Sequence, residues 1–488
     1  MMHRHALIRH YSKWCLLSIS LMSSVWGAEI FASTPASAQS AASESSVSQS
    51  ISPKDPSEAA AFNLAQEYFQ SAQKSAQKGQ YVEAIVQYDR ALIRCPSFSK
   101  AYYGRAVAKT ALGDPQGAIE DYTKGLKLDP TNAVAFAQRG NLRYQLGDRA
   151  AGFGDWDSAL KIDPTLVTAR VNLAYDKSAN SDFKGSLDDL NLALRDDPTH
   201  IAALVNRAYV HQQLGDRDLA LTDLNQAINL RNTSPEAYLN RGMIYSQMGR
   251  SEDAATDFTT ALKYKPSYPE AFYNRALVYT AQSKFDLAAA DLTQVVQLQP
   301  NKADAYFQRG SLYAMAGNRA AAIADFEQTL KLKPNDAEAF KAVADIRMES
   351  GDLSGALGDY NRALSFNPNL ADAYGSRGKV RMKMGDLTGS IDDYTRVIAL
   401  DTQNVQAFYQ RGKARQTLGD GMGAIADYTE TLRLNPRSAD AIYARATLMT
   451  QVGQPIAAKA DFQQAATLYL QQGKAEGYRS VLNWLRRI

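Results

Sequence analysis

Proline recurs at Pro96, Pro130, Pro164, Pro198, Pro266, Pro300, Pro334, Pro368 and Pro436, always on one register of 34 residues, with Asn232 and Thr402 standing in its gaps. No insertion or deletion shifts the count. A fixed period of this size constrains the fold more than composition does, because one short repeat cannot bury its own apolar face and neighbours must stack. The 488 residues therefore count repeats rather than separate domains.

The segment Pro235–Tyr268 shows what one repeat is. Glu236 to Gln247 has helical periodicity, Met248-Gly249-Arg250 interrupts it, Ser251 to Lys263 resumes it, and Pro266 follows. Glycine takes the left-handed conformation that ends a helix, and proline just beyond the second helix stops its continuation. The spacing predicts a helical hairpin. Counting Pro235 as position 1, position 8 is Ala or Gly in all twelve repeats, and position 20 is Ala in nine, with Gly152, Ser186 and Ser390 in the others. Position 24 is large and apolar throughout, from Tyr88 through Trp156 and Phe258 to Phe462. Small residues let helix backbones approach and the large one fills the space beside them; a bulkier side chain at the small positions costs about 1–3 kcal/mol of overpacking.

An aromatic at position 4, Gly or Ala at 8, Gly near 15, Ala at 20, an aromatic at 24 and Pro at 32 resemble the tetratricopeptide repeat family across residues 65–472. The twelve units begin at residues 65, 99, 133, 167, 201, 235, 269, 303, 337, 371, 405 and 439. The resemblance implies an all-α fold, an α-solenoid of helix-turn-helix units wound into a right-handed superhelix. Its concave groove, lined by the first helices, would hold peptides or partner proteins. Helical periodicity starts at Ser57, so the solenoid is expected over 57–472. In 473–488, Tyr478, Val481, Leu482 and Leu485 share one stripe, which predicts a capping helix over the last apolar face.

The chain departs from the family pattern in a paired way. Position 7 is Arg in nine repeats and position 23 is Asp in eleven, while the first repeat has Ser71 and Gln87 there. An ion pair between helices is expected, with Arg favoured for its planar fork. The fourth and ninth repeats keep Asp189 and Asp359 but carry Leu173 and Val343, and Lys177 and Arg347 one turn later are the expected substitutes.

Ahead of the repeats, Arg4, Arg9 and Lys13 precede a mainly apolar run from Trp14 to Ala28, and Ala36 and Ala38 satisfy the small-x-small rule for cleavage. That order reads as a secretory signal over 1–38. The alternative is an uncleaved membrane anchor, although the run is shorter than the ~20 residues a span needs. Residues 39–56, rich in Ser, Ala and Gln, lack a periodicity that buries a face and read as a disordered tether. The expected location is the periplasm or the extracellular space, with no membrane span in the mature chain. Repeats behind such a signal resemble exported bacterial proteins, cyanobacterial ones included. Lys plus Arg number 54 against 51 Asp plus Glu, a formal charge of +3, and loss of three bases and one acid with residues 1–38 leaves +1. Such a balance supplies no general basic field for nucleic acid. Cys15 would leave with the signal, so Cys95 has no disulfide partner in the mature chain.

Beyond residue 38 the chain has two histidines, His200 and His211, and one cysteine, too few for a Cys/His metal cluster or a recurring Ser-His-Asp relay. Gly152-Phe153-Gly154 and Gly419-Asp420-Gly421 lack the following Gly-Lys-Ser/Thr of a phosphate cradle. No catalytic residue, metal ligand or cofactor site is assigned, and the chain is read as a non-enzyme. The family resemblance places positions 2, 5, 9, 12 and 13 of each first helix on the groove. In repeats four to seven, position 5 is Val171, Val205, Leu239 and Tyr273, and position 9 is Tyr175, Tyr209, Met243 and Leu277. This apolar stripe is either a site for a peptide segment or packing within the array. Further on, Lys341, Asp345, Glu349, Lys379, Lys383 and Lys413 make the groove charged. The expected function is an exported scaffold for protein or peptide segments, the alternative being a carbohydrate or envelope-polymer binder that stacks ligands on tyrosines.

Overall fold

The computed structural model describes residues 56–487, so the expected signal and the tether as far as Asp55 lie outside the described residues. Among the described residues there are 25 helices and no strands. Odd-numbered helices open the hairpins and even-numbered helices close them, from α1 (Pro56–Gln77) and α2 (Tyr81–Arg94) to α23 (Ala439–Gln451) and α24 (Pro455–Gln471). A last helix, α25 (Ala475–Leu485), follows. The array divides into two compact bodies, one ending at Gln282 and the other starting at Ser283.

Each hairpin turns on a left-handed residue at position 15. Gly215 has φ 94° and Gly249 φ 75°, and where serine stands instead the backbone still crosses over, with Ser181 at φ 65° and Ser283 at φ 60°. The following residue often caps the second helix: the Asp182 carboxylate accepts from Gly185 N–H at 2.9 Å, and Asp352, Asp386 and Asp420 repeat the contact at the same distance.

Close approach between paired helices explains the small positions. A Cβ on Gly242 would meet the Phe258 ring at 2.8 Å. The third repeat has glycine at both places, because Trp156 is the largest residue found at position 24; a Cβ on Gly140 would lie 2.8 Å from its indole and 2.9 Å from Gly152 O. Serine at position 20 is accommodated by a bond rather than by size alone. Ser186 Oγ donates to Ala174 O at 2.7 Å and Ser390 Oγ to Gly378 O at 2.9 Å, which satisfies each buried hydroxyl.

The arginines at position 7 join helices in two directions. Arg241 Nε and Nη2 donate to Asp257 Oδ2 and Oδ1, both at 2.8 Å, while Nη1 donates to Asn225 of the preceding hairpin at 2.7 Å. The same fork joins Arg105 to Asp121, Arg139 to Asp155, Arg207 to Asp223, Arg309 to Asp325, Arg377 to Asp393, Arg411 to Asp427 and Arg445 to Asp461. In every one of the nine arginines Nη1 reaches back to position 25 of the hairpin before, at Asp89, Thr123, Asn191, Asn225, Thr259, Thr293, Asn361, Thr395 or Thr429. Bonds from Asp257 and Asp325 hold the Arg241 and Arg309 guanidinium pKa values above the ordinary one. Where arginine is missing, Lys177 Nζ meets Asp189 at 2.7 Å and Arg347 Nη1 meets Asp359 at 2.5 Å. Asp359 then has one cationic arm instead of a fork, and burial raises its pKa despite Arg347.

At the C-terminal end, α25 lies on α24. The Phe462 and Trp484 rings stack at 5.7 Å, Val481 is fully buried, and a Cβ on Gly477 would meet the Tyr469 ring at 2.8 Å. Tyr469 Oη and Lys474 Nζ both donate to Asp440, each at 2.9 Å, which ties the closing helix to α23.

Two outcomes follow for stability. A double-mutant cycle on Arg241→Ala and Asp257→Ala, read by urea denaturation, should return a coupling of about 1–3 kcal/mol, since the carboxylate is buried and the geometry bidentate; additive losses would show that the fork contributes no pairwise energy. Ser181→Gly should stabilise the chain by about 1 kcal/mol by relieving a left-handed serine, and an unchanged or lower denaturation midpoint would count against strain at that turn.

Candidate functional site: the inner face of the first helices

In the first body, α7 (Val167–Ala179), α9 (Ile201–Leu214), α11 (Pro235–Gln247) and α13 (Pro269–Ala281) touch one another in succession, while no second helix makes a comparable contact with the next. The first helices therefore lie on the inside of this part of the array, and the side chains between those seams face a shared inner wall.

The expected stripe separates into two sets. Val171, Val205, Leu239 and Tyr273 at position 5 are buried, as is Leu277. Val171 and Val205 belong to a core with Leu190, Leu204 and Leu224, so their area is spent on holding hairpins together. Tyr175, Tyr209 and Met243 at position 9 are half-buried and present surface on the inner wall. The Tyr175 ring meets Tyr144 edge-on at 6.4 Å and the Tyr209 ring meets Phe183 edge-on at 6.5 Å, which fixes both orientations. Burial raises both phenol pKa values, and Tyr175 adds to the effect at Tyr209, so the two lie within electrostatic reach.

A second row lies beside the stripe. Position 6 is asparagine in four successive repeats, Asn172, Asn206, Asn240 and Asn274, and all four are buried. Position 6 shares a helical face with positions 9 and 13. At the edges of the row the amides are paired: Asn172 Nδ2 donates to Asn141 Oδ1 at 2.6 Å, where Trp156 Nε1 also donates at 2.8 Å, and Asn274 Nδ2 donates to Glu270 O at 2.8 Å. In the middle, Asn206 Nδ2 and both amide atoms of Asn240 have no hydrogen-bond partner among the described residues. Each such group costs about 1–3 kcal/mol when left unmade. Gln212 Nε2 donates to Gln247 Oε1 at 3.1 Å beside them, bridging two hairpins across the same wall.

Neither histidine stands among groups that would activate it. His200 Nδ1 accepts from Ala203 N–H at 3.2 Å and caps α9, and His211 is buried with Asp216 at 3.8 Å. Among the described residues no three His, Cys, Asp or Glu side chains come together so as to hold a metal ion, and no helix is long and apolar enough to cross a membrane. Cys95 is buried, with its Sγ 3.5 Å from Ser97 Oγ.

The cap on α9 titrates. Burial lowers the His200 pKa, with Asp197 acting the other way. Neutral imidazole is the form that accepts the bond, so its stabilisation is complete above the ordinary value of about 6.5 and is lost as pH falls from there through the lowered value. Denaturation midpoints should therefore fall as pH drops below about 6.5, and His200→Asn, a cap that does not titrate, should flatten that fall; an identical slope in the variant would assign the loss elsewhere.

Family models described as tetratricopeptide repeat match residues 275–346, 239–303 and 99–132, and one described as TPR repeat matches 213–249, 344–385 and 378–419. No curated protein matches the chain. Among solved structures, it is similar to MamA protein (22% identity, 36% of this chain and 96% of that one, TM-score 0.34). It is similar also to yeast Tom70 (16%, 82% and 99%, TM-score 0.35) and to a tetratricopeptide repeat protein from Parabacteroides merdae (20%, 51% and 98%, TM-score 0.37). The 34-residue hairpins, their small-to-large contacts and these family matches lead to one assignment: the chain belongs to the tetratricopeptide repeat family.

Proposed function

We propose that this protein is an exported, non-catalytic scaffold that holds a polypeptide segment against the inner face of α7, α9 and α11. The observation that carries the reading is the unpaired amides of Asn206 and Asn240, one turn along the same helical faces from Tyr209 and Met243. A polypeptide offers what such a wall lacks: main-chain N–H and C=O groups for the amides and apolar side chains for the aromatic and thioether surface. Many weak contacts spread over several hairpins supply affinity, and no reaction is required. Export rests on the basic, apolar and small-residue order of residues 1–38.

Arrays of overlapping peptides probed with the purified chain test this directly. Wild type should bind a subset rich in apolar residues, and Tyr209→Lys or Met243→Lys should weaken that binding about ten-fold or more. Binding unchanged in both variants would remove the inner face of α9 and α11 from the site, and retention on a glycan array with no peptide bound would replace the polypeptide by a carbohydrate.

A further inference from the structure

The second body has an inner face of its own with a different chemistry. Its first helices include α17 (Ala337–Glu349), α19 (Ala371–Met384) and α21 (Val405–Leu418), and α17 touches α19 as first helices do in the other body. On α17 the charges are answered internally. Lys341 Nζ lies 2.8 Å from Asp345, which also accepts from Tyr360 Oη at 2.5 Å, and Glu349 faces Arg319 at 3.5 Å. On the next two helices they are not. Lys379 and Lys383 stand one turn apart on α19, and Lys413 occupies on α21 the position that Lys379 holds on α19; all three are exposed and none has an acidic partner among the described residues. The neighbouring Arg381 and Arg415 do not offset this, because Asp393 and Asp427 hold them at 2.9 and 3.0 Å.

The same face has room. Position 5 is filled by Lys341 in the repeat before and by Tyr409 in the repeat after, but it is Gly375 on α19. A Cβ there would meet only Val397 Cγ2, at 3.9 Å. Gly378 on the same helix is needed for packing, since its Cβ would meet the Tyr394 ring at 3.1 Å; Gly375 meets no such demand, although glycine disfavours a helix. It leaves bare backbone beside three unanswered cations.

We propose that the inner face of α19 and α21 docks an acidic polypeptide segment, whose carboxylates meet Lys379, Lys383 and Lys413 while its main chain passes over Gly375. Lys379 and Lys383, one helical turn apart, are separated by about 6 Å along the axis, and Lys413 stands on the next first helix. An extended chain presents side chains on one side every ~7 Å, so alternate acidic residues reach successive lysines. A polypeptide fits better than a nucleic acid because the chain's 54 Lys plus Arg against 51 Asp plus Glu supply no long basic field for a continuous run of phosphates. The surface lies in the other body from α9 and α11, so this inference and the proposed groove stand or fall separately.

Fluorescence anisotropy with the full chain and a labelled oligo-glutamate peptide tests it, with an oligo-glutamine peptide of equal length as reference. The glutamate peptide should bind at low salt, the glutamine peptide should not, and binding should weaken steeply as salt rises. Lys379→Glu combined with Lys413→Glu should lower affinity at least about ten-fold, and Lys383→Gln alone, too mild to disturb the helix, about two-fold. Lys331→Glu, exposed on α16 (Arg319–Leu332), makes half the charge change of the double variant, away from this face, and should leave affinity intact. Equal binding of both peptides, an equal loss in Lys331→Glu, unchanged affinity in the double variant, or displacement by oligo-thymidine at lower concentration than by unlabelled peptide would each overturn the assignment.

Discussion

A buried carboxylate shared between two helices by one guanidinium is the contact on which the regularity of this array depends. Asp121 and Asp257 are almost wholly buried, and either would be costly to enclose alone. Arginine answers both carboxylate oxygens through two parallel N–H groups and keeps a third for the hairpin before it. The fork sets the angle within a hairpin while the third bond sets the step between hairpins, so one side chain carries the local and the propagating parts of the geometry. Aromatic neighbours hold it in place: the Arg241 guanidinium lies 5.6 Å from the Tyr238 ring and 5.7 Å from that of Tyr245. Such pairs between charges add little net stability in general, because desolvation offsets attraction. Their value here is that they tie register to identity, since a slip by one residue would leave the buried carboxylates unpaired.

How much of this was legible in the sequence follows from what repeats and what does not. Gly242, Ala254, Phe258 and Pro266 recur at fixed spacing because stacking demands the same shape twelve times, so the hairpin and its contacts could be read directly. The partnership of Arg241 with Asp257 was legible for the same reason. The third bond was not, because position 25, where an arginine reaches back to it, varies among Asp, Asn and Thr, which share only an oxygen acceptor; a reading by residue type sees variety where the chemistry is constant. The inner wall was legible in part. Periodicity puts Val205 and Tyr209 on one face of α9, but only the packing of neighbouring helices decides that the first is buried in the core and the second reaches the surface. The burial of Asn206 and Asn240 was not legible, because a polar residue on a first helix looks like a solvated one until its surroundings are known.

The two inner faces illustrate how one scaffold diversifies. Positions 6, 9 and 13 lie outside the Arg–Asp fork and the small-to-large contacts of positions 8, 20 and 24, so their residue types differ between the two bodies. In one body they carry amides, tyrosines and a methionine, in the other lysines, beside Gly375 at position 5.

The third bond is also a mechanical element, and it is absent from two joints. Between the third and fourth repeats, where Leu173 replaces arginine, other links carry the load: Tyr144 Oη reaches Asp176 at 2.9 Å and Asn172 reaches Asn141 at 2.6 Å. Between the eighth and ninth, where Val343 replaces it, the links among the described residues include the exposed Arg319–Glu349 pair at 3.5 Å, a contact that salt screens readily. There Val343 joins Phe326 and Ile346 in one buried cluster, so apolar contact rather than a back-reaching guanidinium sets the step to the next hairpin.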